Sequence, residues 1–269
     1  MIPKTNTILM IHPLAQISDQ AILGPNVSVE AFAVIGPDVE IGAGTWIGSH
    51  AVISGPTRIG EHCRIYPFVS LGQPPQDVSY RNEPTQLSIG HHNTIREGVT
   101  AHRGTPRGGG VTRIGDHNFI MAYCHIAHDC QVGSHVVFAN NASLAGHVHV
   151  GDGATLGGFT LVHQFCRVGA YAFTSMGAAL NRDLAPYILA TGNYARAIGV
   201  NKIGLQRQGM HDDVIKGLER AFKLLVHHRG HSIDDPEVKL LRERFEEVDR
   251  FVAFIASSKR GIIRTGRHD

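Results

Sequence analysis

The chain has 269 residues, 42% hydrophobic and 18% charged, enough for a large buried core and too apolar for whole-chain disorder. A net charge of +2 excludes nucleic-acid binding through bulk charge, and no apolar run reaches the roughly 18 residues that a membrane span needs. Aromatic residues are scarce at 7% while glycines number 31, a mixture that favours tight, repeated turns.

Residues 1 to 10 carry one lysine and no long apolar stretch, so they do not read as a secretory signal. From Ile11 an aliphatic residue recurs every six positions through Ile35, Ile53 and Leu71. The rhythm resumes at Ile89, reaches Ala101, slips by one residue, and runs from Ile114 to Thr174. Glycine often follows the aliphatic stop, as in Ile35-Gly36 and Ile41-Gly42. A helix needs a period near 3.6 and a flat strand a period of 2. A period of six fits neither, but it fits an all-β solenoid with three short faces per turn. Each hexapeptide then supplies one face and one corner, and residues about 18 apart stack at the inter-strand spacing. Two polar stretches rich in Pro and Gly, about 73–88 and 103–113, are expected to leave the solenoid as loops. Loops on a rigid scaffold commonly carry function.

The rhythm stops after Pro186. The run from Asp212 has apolar residues at helical spacing (Val214, Ile215, Leu218, Ala221, Phe222, Leu225), with Asp212 and Asp213 at its start and Gly230 at its end. Asp235-Pro236 opens a second helix, and Val252 to Ile255 suggests a third. The chain thus divides into a β-solenoid over 1–190 and a small α-helical C-terminal domain over 191–269. The C-terminal part holds a modest basic surplus, which suits either a solvated helix face or an acidic partner. Cys63, Cys124, Cys130 and Cys166 lack C-x-x-C spacing and read as reduced thiols of a cytoplasmic protein.

Eighteen histidines invite a metal or acid–base reading. In the hexapeptide frame His128, Gly146 and Gln164 share one repeat position on three consecutive coils, with His147 and His163 beside them and His125 three residues before His128. A histidine suits proton abstraction from a hydroxyl near neutral pH. Asp129 stands ready to orient the ring, and the N–H of Gly146 can meet a developing oxyanion. No G-x-S-x-G motif is present, which favours direct transfer over an acyl-enzyme. A purely structural histidine ladder would satisfy the same pattern.

The stretches HRGT (102–105), YCHIAHDCQVG (123–133), ANNASLAGHV (139–148), VHQFCRVGA (162–170) and GNYARAIGVN (192–201) resemble the UDP-N-acetylglucosamine 3-O-acyltransferases among the hexapeptide acyltransferases. The resemblance implies a left-handed parallel β-helix and a homotrimer with active sites between subunits. It also implies transfer of an (R)-3-hydroxyacyl group from acyl carrier protein to UDP-N-acetylglucosamine, with no metal or cofactor. Carried over, His128 is the general base and Gly146 the oxyanion donor. His125, His147 and Asp77 bind substrate, Gln164 and His163 lie near the acyl or sugar moiety, and Asn201 and Arg207 bind the nucleotide. Arginine suits phosphate because its guanidinium donates in bidentate fashion.

Two positions depart from the family pattern: Ser79 stands where a lysine is usual, and Ile203 where an acidic residue is usual. Met176 occupies the position that sets acyl length, and its bulk favours a shorter chain, near ten carbons. A 3-amino sugar nucleotide as acceptor, a zinc hydratase of the γ-class carbonic anhydrase type and a non-catalytic trimeric scaffold for the carrier protein are the alternative readings.

Overall fold

The computed structural model describes residues 10–227 and 232–266. Among the described residues very short strands, mostly of two to four residues, build three sheets of 11, 9 and 8 strands, parallel except for the last strand of the first. As far as residue 180, successive strands in the chain belong to different sheets, so the backbone winds as a three-sided coil. The registers show the six-residue rhythm closing on itself: Ile126 pairs with Leu144, and Leu144 with Val162. Every inward stop from Ile35 to Val168 is buried, 5% exposed or less. The prism is therefore a continuous aliphatic core, with the four cysteines buried in it as free thiols.

The corners explain why the sequence tolerates so few residue types there. Most are turned by a residue in the left-handed region, φ near +60°, which costs an ordinary side chain energy. Stacking between coils offsets that cost. His62, His92, His117 and His135 form a column with ring centroids 5.1, 4.7 and 4.9 Å apart at the corner from third to first sheet. Phe32, His50 and Phe68 stack likewise between the first and second sheets. Between the second and third sheets, Asp129, His147 and Phe165 occupy the same left-handed position on successive coils.

The polar excursions are shorter than the composition suggests. Strands Ser70–Gln73 and Gln86–Ile89 keep residue 73 and residues 86–88 in sheets, leaving 74–85 outside. Likewise Val111–Ile114 is a strand, so the second loop spans 103–110. Their flanks still have backbone partners on the neighbouring coils, and that decides the boundary.

Beyond Pro186 the first sheet gains one more parallel strand, Ile188–Thr191, and then an antiparallel one, Arg196–Val200. Residue 190 lies inside this hairpin. Four helices follow among the described residues: α1 (Lys202–Arg207), α2 (Asp212–Phe222, continued by a π-helical turn to His227), α3 (Pro236–Arg244) and α4 (Glu246–Ala256). Helix α1 is too short to show an apolar period and is set instead by Asn201, whose side chain accepts from the Gly204 N–H. Gly230, expected to end α2, lies outside the described residues. The buried Asp183 fastens the helices to the last coil: it accepts from Arg167 Nε at 3.1 Å and from Ser258 Oγ at 2.8 Å.

Candidate active site

His128 and Asp129 form the corner that follows strand His125–Ile126. Both are buried, His128 at 8% and Asp129 at 2% exposure. His128 Nδ1 lies 2.8 Å from Asp129 Oδ2. The same carboxylate accepts from the Thr105 backbone N–H at 2.7 Å and from the Thr105 hydroxyl at 2.6 Å. Burial pushes the Asp129 carboxyl up, but the bonds from His128 and Thr105 outweigh it and hold the carboxyl below its ordinary value. An ionised carboxylate can only accept, so Nδ1 of His128 carries a proton, and in the neutral ring Nε2 is the nitrogen left with the lone pair.

Gly146 stands one coil further on, where its lack of a side chain is obligatory. A Cβ there would lie 2.7 Å from His128 Nε2 and 2.5 Å from Cε1, so any other residue would displace the imidazole. Its N–H has no acceptor among the described residues. This is a property of the repeat position, whose N–H the inter-coil backbone ladder leaves free; Pro13, Pro25, Pro37 and Pro67 fill it elsewhere. Gln164, half-buried, holds the same position on the next coil.

The other expected residues divide into three groups. Close to the dyad are His147, Asp77 and His125. His147 meets His128 edge-on at 5.1 Å, stacks on Phe165 at 4.5 Å and places Nε2 3.6 Å from Asp129 Oδ2. Asp77, on the first loop, is close enough for its charge to interact with His128 and His147. Ser79 donates to it through both N–H and hydroxyl, at 2.7 and 2.8 Å, and these bonds hold its carboxyl below the usual range. His125, on the outer face of the second sheet, is 2.7 Å from the Thr100 hydroxyl. Burial, and then the neighbouring His128, lower its tendency to protonate.

His163 turns away. Its Nδ1 is 3.1 Å from the carbonyl oxygen of Gln164 and 3.3 Å from Arg260, on the C-terminal segment. Met176, 78% exposed, sits at the corner between first and second sheets. Asn201 and Arg207 do come together: with Ile203, Tyr171 and Phe173 they line a cavity of about 540 Å³ between α1 and the first sheet. That cavity is at a different edge from His128, and a six-residue face spans about 20 Å at roughly 3.3 Å per residue. A groove of about 660 Å³ along the third sheet beside α4 contains none of the expected residues.

Two residues around the dyad carry more than the composition of their segment suggests. Thr105 is 3% exposed and grips Asp129 from the second loop. His102 is 6% exposed, faces His125 edge-on at 5.1 Å and is pushed by burial, then by the charges of His125 and His128, to a pKa of about 4. Both stand in the HRGT stretch, the signal that could have found them. Ligand atoms of His128, Asp129 and His147 lie within 4.8 Å of one another, a group that could hold a metal ion.

The C-terminal part, residues 183–263, matches the model of the UDP N-acetylglucosamine O-acyltransferase family, domain 2, and residues 38–73 and 112–146 match the bacterial transferase hexapeptide (six repeats). A protein of Halorhodospira halophila named acyl-[acyl-carrier-protein]–UDP-N-acetylglucosamine O-acyltransferase is 54% identical over 256 residues, covering 94% of this chain and 99% of the relative. One of the same name from Thiobacillus denitrificans is 52% identical with the same coverage. The solved Francisella novicida UDP-N-acetylglucosamine acyltransferase superposes with a TM-score of 0.92 at 36% identity, over 96% of this chain and 95% of that one. LpxA of Acinetobacter baumannii gives 0.91 at 39% identity, over 95% and 100%.

Proposed function

The chain belongs to the acyl-[acyl-carrier-protein]–UDP-N-acetylglucosamine O-acyltransferase family, and from that membership we propose that the corner of His128, Asp129 and Gly146 is its catalytic centre. The protein is an acyltransferase built on a left-handed parallel β-helix. It moves an acyl group from acyl carrier protein to UDP-N-acetylglucosamine, in lipid A biosynthesis.

In this reading the acyl group is an (R)-3-hydroxyacyl chain and the nucleophile is the 3-hydroxyl of the glucosamine. Nε2 of His128 takes the hydroxyl proton as the oxygen attacks the thioester carbon. The negative charge that develops on the carbonyl oxygen meets the free N–H of Gly146. Collapse breaks the carbon–sulfur bond, and the departing thiolate takes the proton back from Nε2. Asp129 supports the imidazolium between these two transfers. Asp77, His125 and His147 hold the acceptor sugar, with Gln164 at the same repeat position one coil beyond Gly146, while His163, directed toward Arg260, stands apart from it. The observation that carries this reading is the contact of the bare Gly146 backbone with the His128 ring.

Asn201 and Arg207 belong to the same site only if it is shared between subunits. Their cavity lies at another edge of the prism, so one chain's nucleotide cavity serves a neighbour's His128. A homotrimer around a threefold axis makes that arrangement, each subunit lending one edge to the next. A cytoplasmic location is part of the same proposal and is supported by the four unpaired thiols.

The test is transfer from 3-hydroxyacyl carrier protein to UDP-N-acetylglucosamine by wild type and His128→Ala. Wild-type turnover with loss of about 10²-fold or more in the variant is expected for a general base. An unimpaired variant would sink the assignment.

The cluster of His128, Asp129 and His147 favours one second reading, a zinc hydratase, because two imidazoles and a carboxylate form a zinc ligand set. Metal quantitation of active enzyme separates the two. The transferase reading expects activity that chelators do not change, and a stoichiometric zinc whose removal abolishes turnover would favour the hydratase chemistry.

A further inference from the structure

We propose that Thr105 is a positioning residue for His128, acting through Asp129; the proposal rests on the reading of His128 as the base. The second loop brings Thr105 against the Asp129 carboxylate. Residues 103–110 leave the coil between strands Thr100–His102 and Val111–Ile114, and the 3₁₀ turn Pro106–Gly108 bends them back. Thr105 caps that turn, its hydroxyl accepting from the Gly108 N–H at 3.2 Å while donating to Asp129 Oδ2 at 2.6 Å.

Packing closes two sides of the carboxylate. A Cβ on Gly108 would lie 2.0 Å from the Asp129 carboxyl carbon, and one on Gly104 2.8 Å from Oδ1. From beneath, the Thr112 hydroxyl accepts the Asp129 N–H at 2.7 Å. The HRGT stretch and the glycines behind it thus form a cradle shaped around one carboxylate.

The chemistry follows from which oxygen Thr105 uses. Its hydroxyl and His128 Nδ1 share Oδ2, so the hydroxyl draws off part of the charge that the imidazolium would otherwise meet. Without it, Asp129 holds the protonated ring more tightly, and His128 surrenders its proton less readily. The base is then protonated over more of the pH range, and its angle toward Gly146 is less well defined.

The test compares Thr105→Val, Thr105→Ser and wild type in kcat/KM across pH, with thermal unfolding of each. Thr105→Val is expected to lower kcat/KM at the optimum about tenfold to a hundredfold, the scale of one hydrogen bond to a charged group. Its acid limb is expected to move upward by about half to one pH unit. Thr105→Ser, which keeps the hydroxyl, restores both. A uniform loss at all pH values, tracking a lower melting temperature with the acid limb unmoved, would overturn the proposal by making Thr105 a loop cap alone. If Thr105→Val folds poorly, the Ser variant still decides: a shifted limb with the hydroxyl retained contradicts the role. Full turnover by His128→Ala would instead remove the underlying reading, whereas an inactive His128→Ala beside an unshifted Thr105→Val removes only the role given to Thr105.

Discussion

His128 Nδ1 lies 2.8 Å from Oδ2 of Asp129, although the two residues are consecutive in the chain. In an extended strand, consecutive side chains point to opposite faces and cannot meet in this way. The left-handed backbone of Asp129, φ 62°, folds them onto one another at the corner. The same conformation one coil on, at His147, places a second imidazole against the same carboxylate. A turn that the solenoid needs for its own closure thus doubles as the device that aligns base and orienter.

Gly146→Ala should be far more damaging to turnover than to stability. The added methyl falls on the His128 ring and displaces it, whereas the aliphatic core is untouched. We expect kcat to fall about 10²-fold or more through loss of base alignment and oxyanion contact, with a melting temperature within a few degrees of wild type. Steady-state kinetics and calorimetry on the same preparation check it; a variant with wild-type kcat would contradict the geometry.

Met176→Gly should lengthen the preferred acyl chain. Each methylene that gains a buried place contributes about 0.8 kcal/mol, so room for two more is worth roughly tenfold in kcat/KM for a longer donor. Wild type is expected to prefer a donor near ten carbons, and the glycine variant to gain on the fourteen-carbon one. Competition between the two donors reads this out, and an unchanged ratio would remove Met176 from the length-setting role.

The solenoid was legible because its restraint is periodic. A narrow prism admits only aliphatic inward residues at fixed intervals, and Ile35, Ile53 and Val150 report it directly. The stacking of His128 over Gly146 followed from the same arithmetic. Helix α1 and the clamp from Thr105 were not legible, for a shared reason: both depend on individual hydrogen bonds of one residue, which leave no period. Nor does spacing reveal that Ser79 turns inward to tie up Asp77, since that depends on the path of an irregular loop.

Stability should decline as the pH falls from 6.5 toward 4, in part because of His102. Its pKa is about 4 when folded and near 6.5 when unfolded, so between these values the unfolded chain binds a proton that the folded one refuses. The sign is therefore destabilising on acidification, by about 2–3 kcal/mol at pH 4 from this residue. His102→Asn should flatten the dependence of unfolding free energy on pH across that window. An equal slope in both proteins would show that the buried imidazole contributes nothing.

The division of the site between chains makes the most demanding prediction. His128→Ala and Arg207→Ala homotrimers are each expected to be nearly inactive, the first for want of a base and the second for want of its nucleotide anchor. In mixed trimers, an interface joining His128 of an Arg207→Ala subunit to Arg207 of a His128→Ala subunit is intact. With random mixing in equal amounts, about a quarter of interfaces meet that condition, so co-assembled variants should recover about a quarter of wild-type activity. Refolding or co-expressing the two variants together, then assaying transfer, measures it. Recovery at that level requires the two edges to come from different chains, because a site completed within one chain would stay dead in every mixture.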